Sequence, residues 1–454
     1  MPEYMAGYSK YKYSGFSWIG DIPEHWDIKR TKYVAKLYNG DSLNDEQKNA
    51  YSDFSESDET IPYIASKDID KDSCSVDYLN GTRIPKKEKN TNGRPFSKAP
   101  AGSSLLCIEG GSAGKKRCIL DREVNFVNKL CCFVPKINGK FLFYYICSNS
   151  YWENFKQNLQ GMIGGVTITK LGTFPIPIPT DSEQKAISDY LDTECGKIDH
   201  LIKTIGSKIE LLKESKLNVI TNTVLLGNSS GLNNQEKINM WKTQVSADRY
   251  IIRLKYLIRS IIGGVSVNAE QVPADSGEIG VLKTSCVSQN VFLPNENKRV
   301  IPEELKRVKC PVKGNTVIVS RMNTPELVGA AGFVERDFDN LFLPDRLWEV
   351  SFDTCRILPK FAWYFLISKY AKNYYTSLST GTSGSMQNIS KGQFENILIP
   401  LPTLEEQRRL IQILELECGR YDAAIDKANS QIDILKEYKQ SLITEVVTGK
   451  RKVC

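Results

Sequence analysis

Ile176-Pro177-Ile178-Pro179-Thr180-Asp181-Ser182-Glu183-Gln184 returns later in the chain as Ile399-Pro400-Leu401-Pro402-Thr403-Leu404-Glu405-Glu406-Gln407, with Glu183 falling on Glu406. The same displacement persists on both sides. Cys195-Gly196 meets Cys418-Gly419, Asp199 meets Asp422, and Leu212-Lys213-Glu214 meets Leu435-Lys436-Glu437. Upstream, Arg30-Thr31-Lys32-Tyr33 meets Arg253-Leu254-Lys255-Tyr256. Between these anchors the match drifts, so that Tyr144 corresponds to Tyr364 and Lys170 to Lys391. A period of about half the chain excludes a solenoid and implies duplication of a whole domain with its connecting element. The copies share their ends and differ in their middles. Shared parts meet common partners; the middles meet two different things.

The segment after each proline cluster reads as a helix. Thr180 or Ser182 and Thr403 can cap it, and Glu183 or Glu405/Glu406 suits its first turn. The prolines before it fit an extended chain about to turn. Apolar residues then recur by threes and fours: Leu191, Cys195, Ile198, Ile202, Ile205, Ile209 and Leu212, continuing through Lys216 and Val219. The second copy repeats them as Leu414, Cys418, Tyr421, Ile425, Ala428, Ile432 and Leu435, continuing through Lys439, Leu442 and Val446. This is a heptad seam, twice over. Lys216 and Lys439 fall at the same seam position, where a lysine weakens packing but can fix register. Each helix of ~40 residues is about 60 Å long. Charged outer faces (Lys203, Lys208, Glu210) leave one stripe to bury, and the two seams bury each other best as an antiparallel pair with a pseudo-two-fold axis.

The middles mix short apolar runs with turn signals, as α/β (α+β) domains do. Ser103–Ile108 and Asn315–Ser320 read as matching strands after the turn glycines Gly102 and Gly314. Phe141–Ile146 and Phe361–Leu366 read as matching buried helices whose aromatics are core. The expected division is a first globular domain over 1–180, a helix over 181–226, a polar linker over 227–247, a second domain over 248–402, a helix over 403–449 and a basic tail over 450–454.

Function classes can be removed. No apolar run approaches the ~18–20 residues of a spanning helix, and the N-terminus lacks the pattern of a signal peptide, so a cytoplasmic protein is expected. The twelve cysteines have no C-x-x-C pair, and two histidines are too few for a histidine metal site or for histidine acid–base chemistry. A net charge of +7 tilts toward a polyanionic partner without naming one. No methyltransferase cofactor loop or Asn/Asp-Pro-Pro-aromatic tetrad occurs. Gly110-Gly111-Ser112-Ala113-Gly114-Lys115-Lys116 faintly resembles a P-loop, but its glycines are spaced one residue short and no Ser/Thr follows the lysine, so it reads as a basic turn. Asp181-Ser182-Glu183-Gln184-Lys185 could pass for a nuclease motif, but its counterpart loses the first carboxylate and the lysine, which suits helix capping. No catalytic residue and no metal ligand set is expected.

Trp18-Ile19-Gly20-Asp21-Ile22-Pro23-Glu24-His25-Trp26, the doubled Ile-Pro-x-Pro-x-x-x-Glu-Gln motif and two long helices ending near Thr221 and Thr444 resemble the specificity subunit of type I restriction–modification systems, over essentially the whole chain. The second half departs from this in lacking a copy of Trp18–Trp26, with only Trp241 nearby. The resemblance implies a non-catalytic subunit with two target-recognition domains, each reading one half of a split site in double-stranded DNA, and helices that set the gap. Half-sites one turn apart, ~34 Å, fall within the reach of such helices. It also implies two methyltransferase subunits as partners, motor–nuclease subunits in the full complex, and S-adenosylmethionine, ATP and Mg that belong to those partners and not to this chain.

Matching the glycine-rich loops and basic residues gives candidate DNA contacts. In the first domain they are Lys67, Lys115, Lys116, Arg117, Gln160 and Thr167; in the second, Lys283, Arg321, Arg346, Thr380, Ser383 and Gln387. Glycine lets a backbone approach a groove, while basic and amide side chains bond phosphates or base edges. The competing reading of each is a solvated surface group. Within the family, a methylation-only or a fused nuclease–methyltransferase system stays open. So do two other classes: a standalone methyltransferase, which cofactor binding by the pure chain would reveal, and a coiled-coil scaffold, which would leave the two diverged domains unexplained.

Overall fold

The computed structural model describes residues 7–52, 59–160, 164–227, 250–383 and 386–453. They form two compact units, residues 1–206 with 430–454, and residues 207–429. The helices that organise them are α1 (Gly139–Cys147), α2 (Asn149–Gln157), α3 (Asp181–Leu226), α4 (Pro359–Leu366), α5 (Lys369–Leu378) and α6 (Leu404–Val447). The two long helices are divided: the head of α3 and the tail of α6 belong to the first unit, the tail of α3 and the head of α6 to the second.

In the first unit an antiparallel sheet runs in the order Ala35–Asn39, Leu130–Pro135, Ser104–Cys107, Arg117–Ile119. A second sheet orders Arg83–Pro85, Thr60–Ile64, Val124–Phe126 and Lys98–Ala99, with one parallel pair at its centre. Phe133 of the first sheet, Phe141 and Tyr145 of α1 and Phe155 of α2 share a core with no exposure. In the second unit the matching sheet is Ile258–Gly263, Leu347–Phe352, Thr316–Ser320, Ala331–Val334. Phe361 and Phe365 of α4 pack against it. The strands and buried helices expected around Leu105, Val317, Phe141 and Phe361 are thus present, in a mixed α/β fold repeated in tandem. One turn differs: Gly102 has a positive φ of 80°, but in the second copy Asn315 at φ 56° takes the left-handed position instead of Gly314.

The repeat reaches the register of single residues. Asp27–Arg30 pairs with Pro175–Ile178, and Tyr250–Arg253 with Leu398–Leu401, with Arg30 opposite Pro175 and Arg253 opposite Leu398. The prolines sit on these two-stranded ribbons, where a missing N–H costs little.

The seam is antiparallel in each unit. Leu191, Cys195 and Ile198 from the head of α3 share a core with Leu442, Ile443 and Val446 from the tail of α6, with Ile202 and Leu435 packed against it. In the second unit Ile220 and Val224 meet Leu410, Leu414 and Cys418. Ile209 is buried, and Ile205, Leu212, Tyr421, Ile425 and Ile432 are half-buried.

Helix α6 ends where the chain begins. Gly449 has a φ of 71°, and a Cβ there would lie 2.3 Å from Pro23 Cδ and 3.2 Å from the Trp26 ring. Only glycine lets the tail close on the buried Ile19, Ile22 and Trp26. The Trp18–Trp26 segment is thus a plug for the first unit. Trp241 and nearly all of the 227–247 linker lie outside the described residues.

Candidate nucleic-acid interface

Each globular domain is bolted to the helices in the same way. The Gln184 side chain, buried, donates to Pro179 O at 3.0 Å and accepts the Asn138 N–H at the cap of α1 at 3.0 Å. Gln407, buried, donates to Pro402 O and Arg356 O and accepts the Leu358 N–H at the cap of α4 at 2.8 Å. The helix tails contribute a second bolt. Thr444 of α6 accepts the Asn149 N–H at 3.0 Å, and Thr221 of α3 accepts the Lys369 N–H at 2.9 Å. Thr221 and Thr444 occupy the same position of the repeat, so the first domain holds the tail of the second helix and the second domain the tail of the first. Ion pairs repeat as well: Lys140 of α1 with Asp192, and Lys360 of α4 with Glu415 at 2.6 Å.

Glu183 closes a reciprocal cap. Its N–H bonds the Thr180 hydroxyl, and its carboxylate accepts from Thr180 N at 3.0 Å, Trp26 Nε1 at 3.3 Å and His25 Nε2 at 2.9 Å. Burial pushes this carboxyl up, but the bonds from His25, Thr180 and Trp26 outweigh it and hold it down to about 2.

On this frame the loops differ. In the first unit the strand Ser104–Cys107 runs into a tight turn with positive φ at Gly110 and Gly114. A Cβ at Gly114 would lie 2.5 Å from the Trp152 ring. Gly164 and Gly165 lie along the turn, with Gly165 bridged to Glu109 and Gln160, and Gly110 N–H bonded to Gly164 O at 3.0 Å. Lys115 and Gln160 are exposed beside one another's loops. Thr167 caps the short helix Ile168–Leu171. Lys116 Nζ donates to Ser66 O at 2.7 Å, drawing in the turn that carries exposed Lys67. These two lysines and Lys71 line a cavity of about 430 Å³ together with Asp68, Asp70, Asp72 and Asp77, so the cations there stand among carboxylates.

Arg117 is turned inward. It donates to Gly114 O and Cys147 O at 3.2 Å each. Burial raises the Cys147 thiol, while Cys74, Arg117 and Lys439 together draw it below its usual range. Gly114 and Cys147 take two of its donors and its Nε is buried without a partner among the described residues, so the protein holds this side chain inward in a stretch that reads as surface.

In the second unit three candidates come together. Arg321 N–H bonds Arg346 O at 3.1 Å, Arg321 Nε donates to Asp345 O at 2.7 Å, and Arg321 O accepts from Ile389 N. Ile389 follows the strand Met386–Asn388, in which Gln387 pairs with Asn323. Thr380 and Ser383 belong to the adjoining strand, and their side chains lie outside the described residues. Lys283 sits on another turn, half-buried, 3.7 Å from Glu296. Asn323, on the same ribbon as Gln387, is not among the sequence candidates, since nothing in the spacing of the chain links the two positions.

Among the described residues no group of His, Cys, Asp and Glu could hold a metal ion, and no helix is long and apolar enough to cross a membrane.

Residues 23–211 and 252–431 match the family described as the type I restriction modification DNA specificity domain. The chain is 22% identical over 441 residues to the type I restriction enzyme EcoKI specificity subunit of Escherichia coli (strain K12), covering 95% of this chain and 90% of that one. It is 23% identical over 454 residues to the MjaVIII specificity subunit of Methanocaldococcus jannaschii, covering 95% and 94%. A chain solved in work on complex assembly and conformational transition of the type I R-M system has the same fold, with a TM-score of 0.59 at 14% identity over 94% of this chain and 98% of that one.

Proposed function

This chain belongs to the type I restriction–modification DNA specificity family, as a specificity subunit, and we propose that its two recognition domains each read one half of an asymmetric bipartite DNA site on behalf of an adenine methyltransferase. One observation carries the reading. The frame is duplicated to the hydrogen bond, at Gln184 and Gln407 and at Thr221 and Thr444, while the loops mounted on it diverge. A glycine turn with Lys115 and Gln160 occupies one unit; Arg321, Arg346 and Gln387 occupy the other. Identical mounts with different readers suit two different half-sites.

The chain contributes recognition and no chemistry. Two methyltransferase subunits supply S-adenosylmethionine and the transfer step, and motor–nuclease subunits bring ATP and Mg, all in the cytoplasm. The outer faces of the long helices are the methyltransferase docking surface. Leu211 and Ile434, at the same position of the repeat, are each 64% exposed there, apolar groups that a partner would cover.

The test is methylome sequencing of a host without modification systems, expressing the chain with its cognate methyltransferase and then without it. A split motif with methylated adenine, seen only when both are present, is the expected result. An active, assembled methyltransferase that yields no split motif would overturn the reading and favour a scaffold.

A further inference from the structure

Strand Asp27–Arg30 ends in a turn that both halves keep. Thr31 N–H bonds Phe174 O at 2.8 Å, and Leu254 N–H bonds Ile397 O at 2.9 Å, so each turn is pinned at the same backbone position. The inward residue is free to change, Thr31 in one copy and Leu254 in the other, both fully buried. The outward residues do not change. Arg30, Lys32 and Tyr33 are exposed in the first unit, and Arg253, Lys255 and Tyr256 in the second.

Both copies hold the lysine the same way. Lys32 Nζ lies 5.1 Å from the Tyr33 ring centre and Lys255 Nζ 4.9 Å from that of Tyr256, over rings 63% and 57% exposed. A cation resting on a tyrosine face is positioned without being neutralised. A third cation stands beside each turn. Exposed Lys136 follows the strand that closes on it, its N–H on Val34 O at 2.8 Å, and Arg356 donates to Tyr256 O at 2.7 Å. Among the described residues none of these six cations is in an ion pair, whereas Lys140, Lys216, Lys360 and Lys439 nearby on the frame all are.

A surface kept in both halves, while the reading loops diverge, must meet something common to both half-sites. Its preserved property is positive charge without a partner. We infer that the Arg30-Lys32-Tyr33 and Arg253-Lys255-Tyr256 turns are sequence-independent clamps for the DNA sugar–phosphate backbone, one per half-site. The inference rests on the DNA-reading function proposed above. Phosphate contacts fix position and register while base contacts specify, so the clamp can be identical where the readers differ.

The test uses the chain assembled with its methyltransferase, as wild type, Lys32→Ala/Lys255→Ala and Lys32→Arg/Lys255→Arg, on DNA with the methylated motif and on unrelated DNA. Each lost phosphate contact lowers the salt slope by about 0.9, so between about 50 and 200 mM salt the alanine variant should lose roughly tenfold less affinity than wild type. Affinity should fall by the same factor on both DNAs, the methylated motif should stay the same, and the arginine variant should restore binding. Unchanged affinity and slope would overturn the inference. So would loss of methyltransferase co-purification with DNA affinity intact in whatever complex still assembles, since the turns would then serve a protein partner. Unrelated DNA reports on the clamp even where the wild-type chain yields no split motif, an outcome that would sink the base-reading function by itself.

Discussion

Lys216 Nζ on α3 bonds both carboxylate oxygens of Asp422 on α6, at 2.6 and 2.8 Å. In the other unit Lys439 does the same to Asp199, at 2.7 Å to each oxygen. Lysine and aspartate both move by the displacement of the repeat, so one pair of positions, used reciprocally, sets the register of both halves of the seam. A seam lysine is a cost in packing that specifies alignment. Lys216 is the more sheltered member, its side chain 24% exposed against 54% for Asp422.

That asymmetry gives the first prediction. Asp422→Ala strands a sheltered ammonium and should destabilise by about 1 kcal/mol, whereas Lys216→Leu removes the cost and should be neutral or stabilising. Urea unfolding followed by circular dichroism reads both. A larger loss from Lys216→Leu than from Asp422→Ala would mean that the ion pair itself, and not the relief of desolvation, dominates.

Gln407 carries the second. Its amide satisfies two carbonyls and one N–H in a site with no exposure, and Gln407→Ala leaves all three without that partner. At roughly 1–3 kcal/mol for each buried group left unsatisfied, a loss of at least about 2 kcal/mol is expected, with Gln184→Ala similar in the first unit. Denaturant midpoints of the two variants check this, and a loss under about 0.5 kcal/mol would show that water or a neighbour replaces the amide.

Much of this frame is legible in the sequence because helices write their period into it. Leu191, Ile198, Leu414 and Leu442 recur by threes and fours, and burial follows that spacing. The partner of Lys216 is not legible, since Asp422 lies 206 residues away and meets it only in an antiparallel register. Gln184 reads as part of a helix-start signal; its buried role depends on Asn138, 46 residues upstream. Arg117 shows the opposite failure. It ends a basic tripeptide that reads as surface, but it opens a strand against α1, and the Cys147 carbonyl takes its donor. The Arg30 and Arg253 turns are visible as repeat anchors, and only their exposure shows that they face outward.

Glu183 predicts a pH dependence. Held down to about 2 against an ordinary 4.5, its carboxylate stabilises the first unit above pH 4.5, and that contribution is lost as pH falls through 2. The melting temperature of Glu183→Gln should therefore lie below wild type near pH 6 and converge on it between about pH 4.5 and 2. Trp26, fully buried against the same carboxylate, offers a fluorescence signal for the local step. A gap independent of pH would mean that the shape of the side chain matters and its charge does not.

Arg321 separates base reading from backbone binding in the second unit. Its Nε is committed to Asp345 O, which fixes the plane of the guanidinium and leaves the terminal nitrogens to address a ligand. Gln387, an amide suited to adenine, lies one strand pairing away across Asn323. Arg321→Ala should relax one position of the second half-site, at a discrimination cost of about 1–3 kcal/mol, and leave the first half-site untouched. Methylome sequencing of the variant, alongside salt-dependent binding, decides it. A uniform loss on every DNA with the motif unchanged would make Arg321 a phosphate contact, and the second half-site would then be read by the ribbon amides alone.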